Sequence, residues 1–159
     1  MHMRLRWPIS LSMILTACLF MLSACAPSYS ASPPHQDIII SSIYWSDGDS
    51  GRINGSIKFR LNDIDAPETG GVGAAIGGAK CEAERAKGYG SKAWVVSFTK
   101  DTALKITQTH GQDRHERLII DLSSNEQDVG KSGLKAGYYK AWPHKGKKAL
   151  SERPKWCLE

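Results

Sequence analysis

The chain has 159 residues, of which 41% are hydrophobic and 23% are charged, and its 21 basic and 16 acidic residues give a formal charge of +5. If residues 1–24 are removed as a signal, 159 − 24 = 135 residues remain, with 19 basic residues and a charge of 19 − 16 = +3. That length suits one ordinary domain with a modest core. The mild positive excess suits an anionic ligand, but alone it is poor evidence for a nucleic-acid partner.

The N-terminus has the pattern of a secretory signal. Arg4 and Arg6 precede Ile9–Ala24, which is almost wholly apolar and contains no acidic residue. An apolar segment this short, after a basic start, is typical of a signal rather than of a membrane-spanning helix. The segment Leu22–Cys25 resembles the lipobox of bacterial lipoproteins. In that family the signal is cut before the cysteine, whose thiol and new amino group are then acylated.

The resemblance implies lipidation at Cys25 and an exported protein anchored in the bacterial cell envelope. Several acyl chains satisfy the need for more than one hydrophobic anchor. In such lipoproteins an aspartate after the cysteine favours retention in the inner membrane. Residue 26 is alanine, which favours the outer membrane or the periplasmic face. An ordinary signal and a secreted protein remain the alternative, because Ala24 and Ala26 are both small. Residues 25–36 are rich in Ser, Pro and Ala and predict a flexible tether to a folded domain at 37–159.

The folded part begins with strand patterns. Asp37–Trp45 is rich in β-branched and aromatic residues, which predicts a strand, and Asp47–Asp49 has turn chemistry. The pair Asn54 and Gly55 predicts a tight hairpin. The following Ile57–Leu61 alternates, so its apolar residues are expected on one face and its Lys and Arg on the other.

A glycine-rich loop and a helix follow. Glu68–Ala79 contains five glycines and lacks the elements of a phosphate-binding P-loop. The pattern of Lys80–Phe98 predicts a helix. Gly88 and Gly90 each weaken the middle of this helix by about 1 kcal/mol relative to alanine. The apolar positions that we expect to form its buried face are Ala83, Ala86, Ala93, Trp94, Val95 and Phe98.

The remaining pattern is mixed. Thr102–Thr109 and Arg117–Leu122 predict strands on either side of a turn at His110–Glu116. Asp128–Ala136 predicts a short helix that Asp128 caps and Gly137 ends. The basic tail contains Trp142 and Trp156. This order of elements predicts a small α+β domain.

Two cysteines remain in the folded part, because Cys18 and Cys25 belong to the signal region. In an oxidising compartment, Cys81 and Cys157 are expected to form a disulfide that ties the tail to the start of the long helix. Two buried free thiols, or a catalytic cysteine, are the alternatives, although no Cys-His signature supports the last.

The acidic and arginine residues form three blocks. They are Asp47–Ser50, Arg60–Glu68 and Asp113–Arg117. Carboxylate oxygens suit a hard divalent cation, and the guanidinium fork suits a phosphate. The pattern predicts a metal-assisted enzyme of phosphodiester chemistry.

In composition, order and spacing, the three blocks resemble the signature blocks of the thermonuclease family, the staphylococcal-type nucleases. Asp128–Gly137 is also similar to the family's second helix, so that the resemblance covers about Ile38–Gly137. It implies an α+β fold built on a five-stranded oligonucleotide-binding (OB-fold) β-barrel with two to three appended helices. It also implies calcium-dependent cleavage of DNA and RNA that leaves 3′-phosphate and 5′-hydroxyl ends.

The resemblance also implies roles for individual residues. Glu68 orients or deprotonates the attacking water, while Arg60 and Arg117 bind the scissile phosphate and neutralise its transition state. The implied Ca²⁺ ligands are the carboxylates of Asp49 and Asp65 and the backbone carbonyl of Ala66. Possible substrate contacts are Arg114, His115, Tyr138 and Tyr139.

Some residues depart from the family's pattern. Glu116 stands where the family usually has glycine and places a negative charge beside Arg117, and His115 replaces a common tyrosine. The expected partners are DNA, RNA and, through the lipid anchor, a membrane; the expected protein is a monomer without a protein partner. A non-catalytic OB-fold lipoprotein that binds nucleic acid or another protein is the main alternative, and a structural envelope lipoprotein is a third.

Overall fold

In the computed structural model, residues 38–157 are described, and they form an α+β domain. The predicted signal, Cys25 and the predicted tether lie outside the described residues. The helices are α1 (Glu82–Thr99) and α2 (Val129–Lys135). The strands are β1 (Ile43–Trp45), β2 (Ser50–Ile53), β3 (Ile57–Leu61), β4 (Ile64–Asp65), β5 (Leu104–Gln112), β6 (Leu118–Ser124), β7 (Gln127–Asp128), β8 (Lys140–Ala141), β9 (His144–Lys145) and β10 (Lys148–Ala149).

The main sheet is mixed. Its strands lie in the order β1-β2-β3-β6-β5, and β7 pairs with β6. The β3–β6 pairing is parallel, with Phe59 opposite Leu118, and the other pairings of this sheet are antiparallel. Within residues 38–157, no strand pairing joins β1 to β5. The predicted α+β class is confirmed, and the described sheet is open rather than a closed barrel.

The β2–β3 hairpin follows its sequence closely. Asn54 and Gly55 have φ angles of 52° and 74°, the left-handed region that an Asn-Gly turn requires. Phe59 and Leu61 are buried, whereas Lys58 is exposed. The alternation therefore places the odd-numbered residues of β3 in the core and leaves the even-numbered ones outside it.

The first strand is shorter than predicted. Ile38–Ile40 does not join the sheet, although Ile38 and Ile40 pack against the core. The Asn54 side chain explains the difference, because its Oδ1 accepts hydrogen bonds from the amides of Ser41 and Ser42. These amides are satisfied by a side chain, so the ladder begins only at Ile43.

The core lies between the sheet and the two helices. Trp45 meets Phe59 edge to face, with ring centroids 5.0 Å apart, and its indole Nε1 donates to Thr99 Oγ1 at 3.0 Å. This hydrogen bond satisfies the polar atom of a buried tryptophan at the end of α1. The buried apolar residues also include Ile53, Leu61, Ile64, Val95, Ile120, Leu122, Val129 and Tyr139.

Helix α1 buries only part of the predicted apolar set: Val95 is buried, and Trp94 and Phe98 pack against the core. Its N-cap is Cys81, whose Sγ accepts from the amide of Glu84 at 3.4 Å. Ala83, Ala86 and Ala93 are exposed, so their prediction as buried positions was wrong. The buried stripe instead consists of Glu84, Gly88, Ser91, Val95 and Thr99.

Gly88 explains why small residues form that stripe. A Cβ at Gly88 would overlap the backbone carbonyl oxygen of Glu68 and would lie 2.9 Å from that of Pro67. The loop after β4 therefore packs directly on the helix backbone, which a larger side chain would prevent. The helix thus supports the chain segment that carries Glu68.

The C-terminal part confirms two predictions. Asp128 Oδ1 accepts from the amide of Lys131 at 2.7 Å, and α2 is followed by Gly137 with a φ of 78°. Cys81 and Cys157 form a disulfide. Within residues 38–157, neither helix combines the length and apolar composition required to span a membrane.

Candidate functional site

Strand pairing brings the first two acidic blocks together. Ser50 of β2 pairs with Arg60 of β3, so Asp49 lies beside Arg60. Arg60 Nη2 is 3.0 Å from Asp49 Oδ2 and 3.3 Å from Asp65 Oδ1. Asp49 and Asp65 are 3% and 0% exposed, so this guanidinium joins two carboxylates that have almost no contact with solvent. Asp49, Arg60 and Asp65, all predicted site residues, are thus in direct contact.

The Asp47–Ser50 turn is stabilised by hydrogen bonds within the turn and by one from a buried tyrosine. Asp47 Oδ1 accepts from the amides of Asp49 and Ser50 at 3.0 and 2.8 Å. Beneath the turn, the buried hydroxyl of Tyr139 donates to the carbonyl oxygen of Gly48 at 2.6 Å. These bonds fix the direction in which Asp49 leaves the turn.

The loop after β4 contributes the third acid. The amide of Ala66 donates to Asp49 Oδ2 at 3.0 Å, which ties this loop to the turn. Arg153 Nε donates to Asp65 Oδ1 at 2.9 Å, and Arg153 Nη2 donates to Glu68 Oε1 at 2.7 Å. Glu68 is therefore linked to Asp49 through Arg153, Asp65 and Arg60.

Arg153 and Trp156 are site residues that the sequence analysis missed. Trp156 is 5% exposed, and its Nε1 donates to Asp65 Oδ2 at 2.9 Å. The predicted Cys81–Cys157 disulfide could have indicated these two residues, because it brings the C-terminal tail to the start of α1. Trp142, also in the tail, lies with its ring centroid 5.5 Å from the Arg60 guanidinium carbon and 5.9 Å from that of Arg153.

Burial dominates the electrostatics of Asp49. Desolvation raises the pKa of Asp49 to about 7, with the charge of Arg60 opposing the rise and the charges of Asp47 and Asp65 adding to it. Burial alone would lower the pKa of Arg60, but the neighbouring carboxylates outweigh it and raise that pKa above its usual range. The single guanidinium therefore does not fully balance the buried acids.

Arg153 has a similar balance. Burial opposes its charge, but Asp65 and Glu68 together raise the pKa of Arg153 above its ordinary value. With all groups ionised, the two guanidinium groups and the four carboxylates carry +2 − 4 = −2. The four carboxylates are those of Asp47, Asp49, Asp65 and Glu68.

The donor set fits a divalent cation in its chemistry. Ca²⁺ prefers several oxygen ligands, and a net charge of −2 matches its own charge. The carboxylate oxygens of Asp49 and Asp65 are at present bonded to Arg60, Arg153, Trp156 and the Ala66 amide. Within residues 38–157, no group of three or more His, Cys, Asp or Glu side chains has the spacing of a metal site.

The third block forms a separate turn. Arg117 Nη2 and Nε lie 2.7 and 2.8 Å from Asp113 Oδ2, while Asp113 Oδ1 accepts from the amides of His115 and Arg117. Burial opposes ionisation of Asp113, but these hydrogen bonds and the charge of Arg117 lower its pKa. In the described part of the chain, Arg117 makes its ion pair with Asp113 and not with the acids around Arg60. The structure therefore does not join this block to the first two by a direct contact.

Glu116 occupies a strained backbone position in this turn. Its φ is 61°, in the left-handed region that glycine enters without cost. The glycine that is usual at this place in the thermonuclease family matches this geometry. Arg114 and His115 are exposed on the same turn, with Arg114 Nε donating to His115 Nε2 at 3.1 Å.

The two predicted tyrosines differ in environment. Tyr139 is 3% exposed and lies in the core beneath Gly48. Tyr138 is 36% exposed and stacks on Trp94, with ring centroids 5.3 Å apart. In this structure Tyr139 is a support for the Asp47–Ser50 turn, while Tyr138 lies on the surface of the α1–α2 side.

Comparison with known proteins leaves the family open. A scan against protein-family models found no match to this chain, and no curated protein matches it. The resemblance to the thermonuclease family therefore stays a prediction from the three sequence blocks.

Proposed function

We propose that this protein is an exported, Ca²⁺-dependent nuclease of the thermonuclease type. It would hydrolyse phosphodiester bonds of DNA and RNA and leave 3′-phosphate and 5′-hydroxyl ends. The observation that carries the proposal is one connected ion-pair network of Asp49, Arg60, Asp65 and Glu68. These residues come from two sequence blocks, and the network combines oxygen donors for a hard cation with a guanidinium suited to phosphate.

The sheet supports a finer proposal about the fold. The first three strands form a meander, and β6 then lies between β3 and β5, parallel to β3. This order is that of a five-stranded OB-fold, a partly open Greek-key barrel. We therefore propose an OB-fold with α1 and α2 attached.

The proposed cation site uses the acids that Arg60 joins. Asp49, Asp65 and the carbonyl oxygen of Ala66 would hold Ca²⁺, which when bound supplies positive charge against the scissile phosphate. The residues around it perform the remaining steps. Arg60 binds non-bridging phosphate oxygens through its fork, and Arg117, which pairs with Asp113 on a separate turn, would supply a second guanidinium to the same phosphate.

Glu68 activates the water. Its Oε1 is bonded to Arg153, whereas its Oε2 makes no hydrogen bond within the described residues. Oε2 accepts a proton from water, the water oxygen bonds to phosphorus, and the bond from phosphorus to the 5′ oxygen breaks. The 5′ oxygen takes up a proton and leaves as a hydroxyl, and the phosphate stays on the 3′ end. The arginines stabilise the added charge of the transition state.

The test uses the purified full-length chain with labelled single-stranded DNA and RNA, in Ca²⁺ or in excess chelator. We expect cleavage only with Ca²⁺, and mass spectrometry should find 3′-phosphate ends. Glu68→Gln should lower kcat by about 10²–10⁴-fold, the range for loss of a general base. The matched control is Glu152→Gln, because Glu152 is exposed. Cleavage that persists in chelator, or an active Glu68→Gln variant, would contradict the proposal.

A non-catalytic nucleic-acid-binding or interaction lipoprotein is the second candidate. It is favoured by the arginines, since Arg60 and Arg117 are both paired with acids. Retention of labelled DNA without any cleavage at saturating Ca²⁺ would support this candidate over the nuclease.

The cellular location is a separate proposal. We propose that Cys25 is acylated and anchors the protein in the cell envelope, which the lipobox-like sequence supports. Cys25→Ser should move the protein from the membrane fraction to the soluble or secreted fraction. An unchanged membrane fraction would contradict the anchor and leave the nuclease proposal unaffected.

A further inference from the structure

The C-terminal segment, Ser151–Cys157, is fixed at both of its ends. At its beginning, Trp142 Nε1 donates to the carbonyl oxygen of Ser151 at 3.1 Å. At its end, Cys157 is joined to Cys81, the N-cap of α1. The segment is therefore held across the domain surface by a hydrogen bond and a covalent bond.

Between these two attachments, the segment places two side chains on the acids of the site. Arg153 bridges Asp65 and Glu68, and Trp156 donates to the second oxygen of Asp65. Trp156 is held in turn by Lys140, whose Nζ lies 4.6 Å from its ring centroid. The segment thus makes three hydrogen bonds to the acids of the site.

Arg153 reduces the repulsion between two neighbouring carboxylates. Asp65 ends β4 and Glu68 lies three residues later in the following loop, and their negative charges repel each other. Within the described residues, Arg60 pairs with Asp65 but the ion pair of Glu68 is made by Arg153. The next residues form the glycine-rich loop, which offers no charge to hold Glu68 in place. Arg153 therefore sets the orientation of the Glu68 carboxylate.

The bond pattern leaves Glu68 able to react. Arg153 occupies only Oε1, so the carboxylate is oriented through one oxygen while Oε2 makes no hydrogen bond in the described part of the chain. A planar fork can contact two carboxylates in fixed directions, which a lysine ammonium cannot do. Orientation of a catalytic group through a neighbour is a common way to hold it in productive geometry.

We propose that Arg153 is a positioning residue for Glu68 and Asp65, and that the Cys81–Cys157 disulfide is the device that delivers it. This inference rests on the proposed function, since it assigns the C-terminal segment to the phosphodiester site. The segment is then a working part of the site rather than a terminal appendage. The opposite hypothesis is that the segment inhibits the site. In that case Arg153 blocks Glu68, and removal of Arg153 raises the rate of cleavage.

The first experiment measures cleavage of labelled single-stranded DNA in Ca²⁺ by full-length variants. Arg153→Ala should lower kcat by about 100-fold with little change in KM, because small displacements of a reacting group have effects of that order. Arg153→Lys should recover only part of the rate. The control is Arg52→Ala, which removes an exposed arginine of β2 and should stay within about twofold of the unchanged protein. An unchanged or higher kcat in Arg153→Ala would overturn the proposal.

The second experiment tests the disulfide. The Cys81→Ser, Cys157→Ser double variant retains an N-cap, because serine caps helices well. It should lose a similar part of kcat, and adding Arg153→Ala to it should cause little further loss. Two groups that act through one another show such non-additivity. Fully additive losses would overturn the proposal, and thermal melting would identify any variant that does not fold.

A measurement that does not depend on catalysis distinguishes the proposed positioning of Arg153 from the proposed nuclease activity. In the unchanged protein, the Trp156 indole N–H should give a distinct NMR resonance that is protected from solvent exchange, because it bonds to buried Asp65. Loss of the disulfide should remove that protection. If the unchanged chain does not cleave nucleic acid, the proposed function fails. Protection that survives loss of the disulfide overturns the delivery of Arg153 by Cys81–Cys157.

Discussion

Two acid–arginine pairs of this protein have the same chemistry and opposite surroundings. Arg60 and Asp65 are 13% and 0% exposed in their side chains, and they belong to a network with Asp49, Glu68 and Arg153. Arg117 and Asp113 are 26% and 20% exposed and form a pair within one turn. Through Asp49 and Arg153, the network of the first pair joins distant parts of the chain, whereas the second pair stabilises its own turn.

The two surroundings shift the pKa values of their acids in opposite directions. Burial raises the pKa of Asp49 to about 7, while local hydrogen bonds outweigh burial and lower the pKa of Asp113. An excess of buried negative charge is the condition under which a cation binds well, and a satisfied turn has no such need. The comparison supports the Arg60 network as the place of the proposed cation, and it gives Asp113 a role in the shape of its loop.

The largest expected difference is in stability. Arg60→Ala should reduce the free energy of unfolding by about 3–5 kcal/mol, because it leaves the buried carboxylate of Asp49 without its guanidinium. Arg117→Ala should cost no more than about 1 kcal/mol, as is usual for a more exposed pair. Urea unfolding of both variants measures the difference. Equal losses would remove the distinction between the two regions.

A smaller effect is expected beneath the Arg60 network. Gly88→Ala should destabilise the protein by about 1–3 kcal/mol, since its methyl group would overlap the Glu68 carbonyl and force the loop to move. Gly90→Ala is the matched control, because a Cβ at Gly90 meets nothing within 4 Å. That control should stabilise α1 by about 1 kcal/mol, from helix propensity. Thermal melting that gives both variants the same sign would contradict the packing of the loop on α1.

The two tyrosines test the support of the Asp47–Ser50 turn. Tyr139→Phe should cost about 1–2 kcal/mol, because it leaves the buried Gly48 carbonyl without its hydrogen bond. Tyr138→Phe alters a side chain that is 36% exposed and should have little effect. Chemical unfolding of the pair measures the contrast, and a Tyr139→Phe variant as stable as its control would argue against this support.

The smallest expected effect is the pH dependence of the exposed turn. The pKa of Asp113 lies below 3.8 in the folded state, so ionised Asp113 contributes stability above that value. The contribution is lost as pH falls through the folded pKa. Asp113→Asn should therefore be less stable at pH 7, by about 1 kcal/mol or less, and the difference should disappear in strong acid. Unfolding measured from pH 7 to pH 2 would show it, and a difference that grows in acid would contradict it.

Several local features could be predicted from the sequence because they depend on neighbouring residues. The Asn54-Gly55 hairpin, the Asp128 cap and the end of α2 near Gly137 are each confirmed. The Cys81–Cys157 disulfide is also confirmed, since two cysteines left one pairing. Short-range backbone geometry and capping chemistry determine such features, and they need no knowledge of the rest of the fold.

Other features depended on where distant segments meet. The prediction for the buried face of α1 was wrong for its three alanines, because the loop at Glu68 packs on Gly88, and right for Val95. β1 was shorter than predicted, because Asn54 binds the amides of Ser41 and Ser42. A contact from another part of the chain overrides local propensity in both cases.

The amino-acid order alone determined the α+β class, the turns and caps, and the acids and arginines available for chemistry. Only the tertiary structure decided which of them meet: Arg60 lies between Asp49 and Asp65, whereas Arg117 stays with Asp113. It also brought Arg153 and Trp156 from the far end of the chain to the site. The reason is physical, because charges and hydrogen bonds act over a few ångströms of space and take no account of separation along the chain.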